Sequence, residues 1–172
     1  VEDSRYASEA VRLLCLRSGA RIRRADSLRT ARRHLSVYRP TALIVDLGLP
    51  DGSGAELIAQ AVEAQPRIPA IIATSGDAAR AVEAQQAGAD RFLEKPLRSL
   101  AAFQEAVLTQ LPSDRRPPRY HEAAPEDLRP DPGSFRDDMA HAAQLIDGSV
   151  EEVGIDYVVQ FVSGVARSAG DT

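Results

Sequence analysis

The chain has 172 residues, of which 44% are hydrophobic and 27% charged, a balance that permits a buried core and excludes a chain disordered throughout. Its formal net charge of −4 argues against a dedicated nucleic-acid binder, and its single cysteine, Cys15, excludes an internal disulfide framework and a multi-cysteine zinc site. Because no apolar run approaches the ~20 residues that span a bilayer and no signal peptide is visible, we expect a soluble cytoplasmic protein.

The first 111 residues alternate apolar runs with helical patterns. Apolar residues at helical spacing predict helices over residues 7–14, 28–38, 57–62, 77–87 and 100–111. Uninterrupted apolar runs predict buried strands at 42–45 and 70–73, residues 91–93 predict a brief strand, and the segment 20–25 predicts a charged strand suited only to a sheet edge. Strands that alternate with helices form a parallel sheet covered on both faces, with ligands bound at the carboxyl ends of the strands.

Polar side chains follow the apolar runs of this predicted sheet. They are Glu2 and Asp3 after Val1, Asp46 after Val45, Thr74 after Ala73, and Lys95 after Leu93 and Glu94. Carboxylates that converge repel one another and raise each other's pKa values unless a cation lies between them. Mg²⁺ prefers oxygen ligands and keeps part of its hydration shell, so we expect a magnesium site at this edge of the sheet.

Two further observations concern the same edge. Helix capping explains one of the acids, since we expect Asp3 to cap the first helix, but it does not explain three acids together. Lys95 is the only lysine among 21 basic residues. Its compact ammonium would supply a point charge that the planar guanidinium of arginine does not reproduce.

These residues resemble the receiver domain of bacterial two-component response regulators. The resemblance is carried, in the family's order and spacing across residues 1–111, by VEDS at 1–4, IVDLGLP at 44–50 with Gly54, ATSG at 73–76 and FLEKP at 92–96. It implies an α/β fold of the flavodoxin-like type, with a five-stranded parallel sheet in the order 2-1-3-4-5 and helices on both faces. Val1 would then end the first, central strand, so we expect about four to six strand residues before it.

The resemblance implies that Asp46 is a phosphoacceptor. It would take a phosphoryl group from a histidine kinase or a histidine phosphotransfer protein, forming an acyl phosphate. The cofactor Mg²⁺ would bind Asp3, Asp46 and the carbonyl of Gly48 directly, and Glu2 through water. We therefore expect a signalling protein without enzymatic activity beyond its own phosphorylation and dephosphorylation.

The remaining motif residues receive roles from the same resemblance. Thr74 and Lys95 would contact the phosphoryl oxygens, and Thr74 and Phe92 would act as the conformational switch. Pro96 matches a position that follows a cis peptide bond in the family. The small residues at 75–76 would leave access for a bulky phosphodonor.

Other interpretations of the site have less support. A phosphatase of the haloacid dehalogenase type would need a second aspartate two residues after Asp46, where this chain has Gly48. No Walker A loop or Gly-x-Gly-x-x-Gly run supports nucleotide binding. Cys15 lies among leucines of a predicted helix and is expected to be a core thiol. A degenerate receiver that only binds partners would not need the complete set of acids, hydroxyl and lysine.

Prolines divide the chain, since six of the 11 lie within residues 112–132. We therefore place a receiver domain at 1–111, a proline-rich linker at 112–133 and a helical extension at 134–172. The extension and linker together are acidic, with 12 acidic and 6 basic residues after position 111, which argues against DNA binding.

Two helices are predicted in the extension. The first covers 134–147, with Ser134 and Asp137 as candidate caps and Gly148 as a stop. A capping box from Ser149 to Glu152 opens the second, which continues to about residue 168. Because the second helix is apolar on almost all sides, it must be buried.

The partner of these helices stays open between two arrangements. Two copies of the chain could form a four-helix bundle, which predicts a homodimer, or the hairpin could dock on its own receiver. His141 is either a solvent-facing residue or a phosphotransfer histidine, and the latter would need such a bundle. The chain as a whole is either a relay without further output or the input half of a longer effector protein.

Overall fold

The computed structural model describes residues 1–116, 131–147 and 154–170. The strands are β1 (Ala42–Asp46), β2 (Gly48–Leu49), β3 (Gly52–Ser53), β4 (Ala70–Ser75) and β5 (Arg91–Glu94). The helices are α1 (Arg5–Arg17), α2 (Leu28–Val37), α3 (Gly54–Glu63), α4 (Ala81–Gln86), α5 (Leu100–Leu108), α6 (Pro132–Asp147) and α7 (Ile155–Ala169). Among the helices of these ranges, none is long and apolar enough to cross a membrane.

The main sheet is parallel and has the order β1-β4-β5. Asp46 at the end of β1 lies opposite Thr74 in β4, and Thr74 lies opposite Leu93 in β5. β4 is buried along its whole length, as its uninterrupted apolar run predicts for a strand covered on both faces. This register carries the ends of all three strands to one edge of the sheet.

The position of the expected first strand is held by the first two residues of the chain. The amino group of Val1 donates to the carbonyl of Ile44, and the backbone N–H of Asp46 donates to the carbonyl of Val1 at 2.9 Å. On the other side, the N–H of Glu2 donates to the carbonyl of Ala25 at 2.9 Å. Val1 and Glu2 therefore lie between β1 and the segment 20–25.

The segment 20–25 was expected to form a strand, and this prediction is wrong for the described chain. Its hydrogen bond from Glu2 to Ala25 lies at its last residue, and the strand next to it is represented only by Val1 and Glu2. A strand forms only where a neighbour supplies a ladder of backbone partners. The five-stranded order therefore stays a prediction, with β1, β4 and β5 in the expected third, fourth and fifth places.

Three local predictions about helices also need correction. The helix predicted at 77–87 is divided into a 3₁₀ turn at Ala78–Arg80 and the helix α4, because the Asp77 carboxylate caps the turn at the N–H of Ala79. The helix predicted at 100–111 ends at Leu108, beyond which the backbone bonds tighten to i→i−3 spacing. α1 is capped by Ser4 instead of Asp3, since the Ser4 hydroxyl accepts from the N–H of Ala7 at 2.9 Å.

The helical extension begins earlier than expected. α6 starts at Pro132, two residues before the predicted boundary, because proline has a preset φ and lacks the donor that the first helical position leaves unpaired. The expected caps Ser134 and Asp137 lie inside the helix. The linker residues 117–130 lie outside the described part of the chain.

α7 begins at Ile155, after Gly154 in a left-handed conformation with φ of 83°. The predicted capping box of Ser149 and Glu152 lies outside the described residues. α7 packs on α6 through a small apolar cluster formed by Ala142, Phe161 and Val165, with Phe135, Met139, Tyr157 and Val162 around it. Both helices also contact α1, so the extension docks on the receiver.

One buried carboxylate joins the extension to α1. Asp138 is 2% exposed and accepts three hydrogen bonds, from the Ser4 hydroxyl at 2.8 Å and from the backbone N–H groups of Arg5 at 2.8 Å and Tyr6 at 2.9 Å. These N–H groups lie in the first turn of α1, where a helix has unpaired donors and a positive dipole end. Asp138 therefore acts as a second cap for α1, supplied from a distant part of the sequence.

Two side chains singled out in the sequence have clear positions. Cys15 is buried against Leu100 and Phe103, as expected for a core thiol, and burial raises its pKa to about 11. His141 is exposed on α6 with its ring against the edge of Phe161, which is the solvent-facing position.

We predict that Gly54→Ala destabilises the protein. A Cβ at Gly54, the first residue of α3, would overlap the carbonyl oxygen of Asp46, and backbone atoms cannot move aside without shifting the end of β1. Overpacking of this kind costs about 1–3 kcal/mol, more than the helix propensity gained by alanine. Thermal unfolding should show a lower Tm. In the control Gly164→Ala the new Cβ meets no atom within 4 Å, so an equal loss in both variants would contradict the clash.

Candidate functional site

An acidic pocket lies at the edge where the parallel strands end. Oxygen atoms of Glu2, Asp3 and Asp46 all lie within 4.8 Å of one another. Asp46, which is 4% exposed, comes from the end of β1, and the other two precede α1. The structure therefore brings together the three carboxylates that the sequence predicted at this edge.

Lys95 reaches the same pocket from the end of β5. Its Nζ lies 3.0 Å from Oδ2 of Asp46 and 3.0 Å from Oε2 of Glu2. Its backbone N–H donates to the carbonyl of Ser75 at 2.8 Å, which continues the β4–β5 pairing by one residue. The peptide bond between Lys95 and Pro96 is cis, as the resemblance implies.

Burial dominates the electrostatics of this pocket. It raises the pKa of Glu2 to about 8 and that of Asp3 to about 6, because the charged forms lose their hydration. Lys95 opposes the shift at Glu2, and Tyr157 opposes the shift at Asp3 through a hydrogen bond. For Lys95, burial lowers the pKa, but the carboxylates of Glu2 and Asp46 outweigh it and leave the pKa above its usual value.

The donor set fits a hard divalent cation. Oδ2 of Asp46 is paired with Lys95, whereas its Oδ1 is buried without a hydrogen-bond partner among the described residues. A buried carboxylate oxygen without a partner is costly, and a cation coordinated there would relieve the cost. Mg²⁺ takes oxygen ligands of this kind and keeps waters in its remaining positions.

Of the other predicted site residues, Gly48 lines this pocket, whereas Thr74 and Phe92 are not among its lining residues. Gly48 begins β2 and lines the pocket next to Asp46. Thr74 is buried in β4 directly opposite Asp46. Phe92 is half-buried in β5, with its ring packed against the main core, so the structure holds it in an inward position.

The extension forms one wall of the pocket, which was not predicted from the sequence. The hydroxyl of Tyr157 in α7 donates to Oδ2 of Asp3, and the guanidinium of Arg167 donates to the carbonyl of Gly76. The Gln160 side chain occupies the space beside Gly48 where a Cβ would lie. The cavity between them has a volume of about 540 Å³ and is lined by receiver residues on one side and by α7 on the other.

This arrangement corrects the expectation of open access at residues 75–76. Gly76 is small, but the Cα of Gly164 lies within 3.7 Å of where its Cβ would be, so α7 occupies the space that the small residue leaves. The sequence contained one signal for this contact. The second helix of the extension is apolar on almost all sides, so it had to be buried, but its residues do not show which surface buries it. Tyr157 is 154 residues away from its partner Asp3, and no local pattern reports such a contact.

Comparison with known proteins gives a consistent result over the same region. A model of the response regulator receiver domain matches residues 1–107. The transcriptional regulatory protein FixJ of Rhizobium meliloti is 32% identical over 111 residues, which are 64% of this chain and 52% of FixJ. The KDP operon transcriptional regulatory protein KdpE of Escherichia coli is 31% identical over 97 residues, 56% of this chain and 43% of KdpE. The chain thus spans about half the length of these curated relatives.

Solved structures show a similar fold. The signal receiver domain of a signal transduction histidine kinase from Syntrophus aciditrophicus is 25% identical, with a TM-score of 0.58 over 72% of this chain and 96% of its own. The receiver domain of the sensor histidine kinase PA1611 from Pseudomonas aeruginosa is 24% identical, with a TM-score of 0.57 over 64% of this chain and 92% of its own. A response regulator from Burkholderia pseudomallei is 22% identical, with a TM-score of 0.54 over 98% of this chain and 89% of its own.

We predict that Mg²⁺ binding strengthens as pH rises. At about pH 6 the raised pKa values leave protons on Glu2 and on part of Asp3, and a proton must leave before a carboxylate coordinates the cation. Affinity should therefore increase from about pH 6 to about pH 8.5, and binding should release protons. Isothermal titration calorimetry in two buffers with different ionisation heats measures both. Carboxylates with ordinary pKa values are already ionised at pH 6, so a constant affinity would contradict the prediction.

Proposed function

The chain belongs to the response regulator receiver domain family, and we propose that it accepts a phosphoryl group on Asp46 from a histidine kinase or a histidine phosphotransfer protein, in a Mg²⁺-dependent reaction. The observation that carries the proposal is the state of the Asp46 carboxylate. Oδ2 is held by Lys95, while Oδ1 is buried without a partner among the described residues, beside two further acids. This is the arrangement expected of an oriented carboxylate nucleophile that is prepared to receive a cation.

The transfer follows from these positions. The Asp46 carboxylate attacks the phosphorus of a phosphohistidine, the P–N bond breaks, and the leaving imidazole nitrogen takes up a proton, which leaves an acyl phosphate on Asp46. Lys95, 3.0 Å from Oδ2, fixes the carboxylate plane and lies within reach of a phosphoryl oxygen. Thr74, in register opposite Asp46 in the neighbouring strand, is the candidate hydroxyl donor to the transferred group.

Asp3, Asp46 and the carbonyl of Gly48 would hold the Mg²⁺, and Glu2 would contact it through water. When bound, the cation offsets negative charge on the transferred group, which leaves the protein mainly the task of positioning. Two structural relatives support the assignment by what their crystals contain. The PA1611 receiver has a magnesium ion coordinated in its active site cleft, and the Burkholderia response regulator has a phosphorylated aspartic acid with a calcium ion.

The output of the protein is a separate proposal. We propose a cytoplasmic signalling phosphoacceptor with no enzymatic activity beyond its own phosphorylation and dephosphorylation. The alternative, an input half of a longer effector, is favoured by FixJ and KdpE, which are transcriptional regulators that match this chain over only 52% and 43% of their lengths. The location of the stop codon in the gene distinguishes the two.

Homodimerisation through the C-terminal helices stays a prediction. The structure shows the other arrangement named from the sequence, in which α6 and α7 dock on the receiver. Exposed apolar side chains remain on the extension at Ile146 and Ile155, away from the pocket, and at Val159 beside it. A second copy of the chain would have to use this surface or displace the hairpin.

We predict that acetyl phosphate with Mg²⁺ adds one phosphoryl group to the chain, and that Asp46→Asn or EDTA abolishes the addition. Asparagine keeps the size of the side chain but lacks the nucleophilic oxygen. Intact-mass spectrometry at neutral pH measures the product. Asp51→Asn, which changes a nearby carboxylate that caps α2 at Leu28 and Arg29, is the matched control and should label normally. An unchanged mass of the wild type, or labelling of Asp46→Asn, contradicts the assignment.

We predict that Lys95→Arg still accepts the phosphoryl group but responds to it less. The larger planar guanidinium of arginine keeps the charge but cannot occupy the position from which Nζ of Lys95 reaches both Asp46 and Glu2 at 3.0 Å. Nuclear magnetic resonance spectra recorded before and after addition of Mg²⁺ and beryllofluoride, a phosphoryl mimic, should show smaller shift changes at Thr74 and Phe92 in the variant. A response equal to that of the wild type would rule out the point-charge argument.

A further inference from the structure

We propose that the hairpin of α6 and α7 is an intramolecular cover over the phosphoacceptor pocket, and that its docking competes with metal binding and phosphorylation. The proposal rests on the proposed function of Asp46. It goes beyond it by assigning a role to the extension, which the family model, matching only residues 1–107, does not include.

The cover contacts a proposed metal ligand directly. The hydroxyl of Tyr157 donates to Oδ2 of Asp3, one of the carboxylates within 4.8 Å of the others. An Asp3 oxygen that accepts this bond is less available to a cation, and a cation at that oxygen would repel the hydroxyl proton.

The cover also lies against two of the receiver glycines that line the pocket, Gly48 and Gly76. Gln160 lies against Gly48, whose carbonyl is a proposed metal ligand, and the backbone of Gly164 lies over Gly76. Arg167 adds a hydrogen bond to the Gly76 carbonyl. The three contacts are spaced along α7 over Gln160–Arg167, so one helix face follows the pocket mouth from the β1 end to the β4 end. A protein phosphodonor must bring its histidine through this mouth, and α7 stands in its path.

The anchor of the cover lies outside the pocket. Asp138 of α6 caps the first turn of α1 with three hydrogen bonds of 2.8–2.9 Å and is 2% exposed. A carboxylate so deeply buried is stable only while these donors face it, so the docked position is specific. The neighbouring Asp137 is not buried in this way, since its carboxylate and its ion-pair partner Arg5 are both exposed.

Competition at one site has a reciprocal consequence. If a loaded pocket disfavours the docked hairpin, an undocked hairpin must favour loading by the same factor. Phosphorylation would then release α7, together with the apolar side chains that line the pocket, Phe161 and Val165. The phosphoryl signal would be transmitted as exposure of this helix.

Two variants of the full chain test the cover. Asp138→Ala removes the anchor without replacing a residue that lines the pocket, and Asp137→Ala is its matched control one residue away. With acetyl phosphate and Mg²⁺, the initial rate of labelling measured by intact mass should rise about tenfold in Asp138→Ala, within the usual range of coupling factors, and stay at the wild-type value in Asp137→Ala. Equal rates in all three proteins overturn the proposal.

Hydrogen exchange measured by mass spectrometry provides a second readout on the wild-type chain. Addition of Mg²⁺ and beryllofluoride should accelerate exchange in α7 and in the α1 first turn, where Asp138 protects the N–H groups of Arg5 and Tyr6. If α7 stays protected while the pocket is loaded, the cover does not compete and the proposal fails.

Failure of the proposed phosphoacceptor function would give a different experimental result from failure of the cover. A wild-type chain that is never labelled, while α1 amides still lose protection in Asp138→Ala, refutes the phosphoacceptor role and with it the competition. If Asp138→Ala does not fold, as judged by thermal unfolding, Tyr157→Phe takes its place. It removes only the hydroxyl that bonds Asp3, and it should raise the labelling rate in the same direction; a rate equal to wild type counts against the cover.

Discussion

The ion pairs of the buried Lys95 ammonium are the interaction on which the rest of the pocket depends. Nζ lies 3.0 Å from both Asp46 and Glu2, in a cluster where a third acid lies within 4.8 Å. Breaking a buried pair costs about 3–5 kcal/mol, because it leaves an uncompensated charge. The parallel register provides the pairing, since the backbone of Lys95 is bonded to Ser75, the residue after the one opposite Asp46. The ion pairs and the strand register therefore both place Lys95 beside Asp46.

One ammonium does not neutralise three carboxylates, and the remaining imbalance explains the other features of the pocket. Burial raises the pKa values of Glu2 and Asp3, Oδ1 of Asp46 lacks a partner among the described residues, and Asp3 is bonded to a hydroxyl from the extension. The raised pKa values and the Tyr157 hydrogen bond each offset part of the excess negative charge. A single divalent cation would offset all of it, which is why metal binding and the Tyr157 contact are physical alternatives.

The receiver half could be predicted from the sequence because its signals are local. Apolar runs at 42–45 and 70–73 marked β1 and β4, and the polar residue after each run had to lie at the shared edge of a parallel sheet. The strand prediction at 20–25 was wrong for the opposite reason. A strand depends on a neighbouring strand, which residues 20–25 do not themselves encode. The Asp138 cap, 134 residues from Ser4, belongs to the same class of interaction between distant segments.

The apolar circumference of α7 follows from its three neighbours. The helix packs against α6 through Phe161 and Val165, against α1, and against β2 beside the pocket, so most of its sides have a partner within one chain. A four-helix bundle formed by two chains would bury the same helix, and Phe161 and Val165 line both the hairpin core and the pocket. Any bundle that uses this inner face requires the hairpin to leave the receiver first. Self-association through that face and a covered pocket therefore exclude each other, whereas association through Ile146 and Ile155 leaves α7 over the pocket.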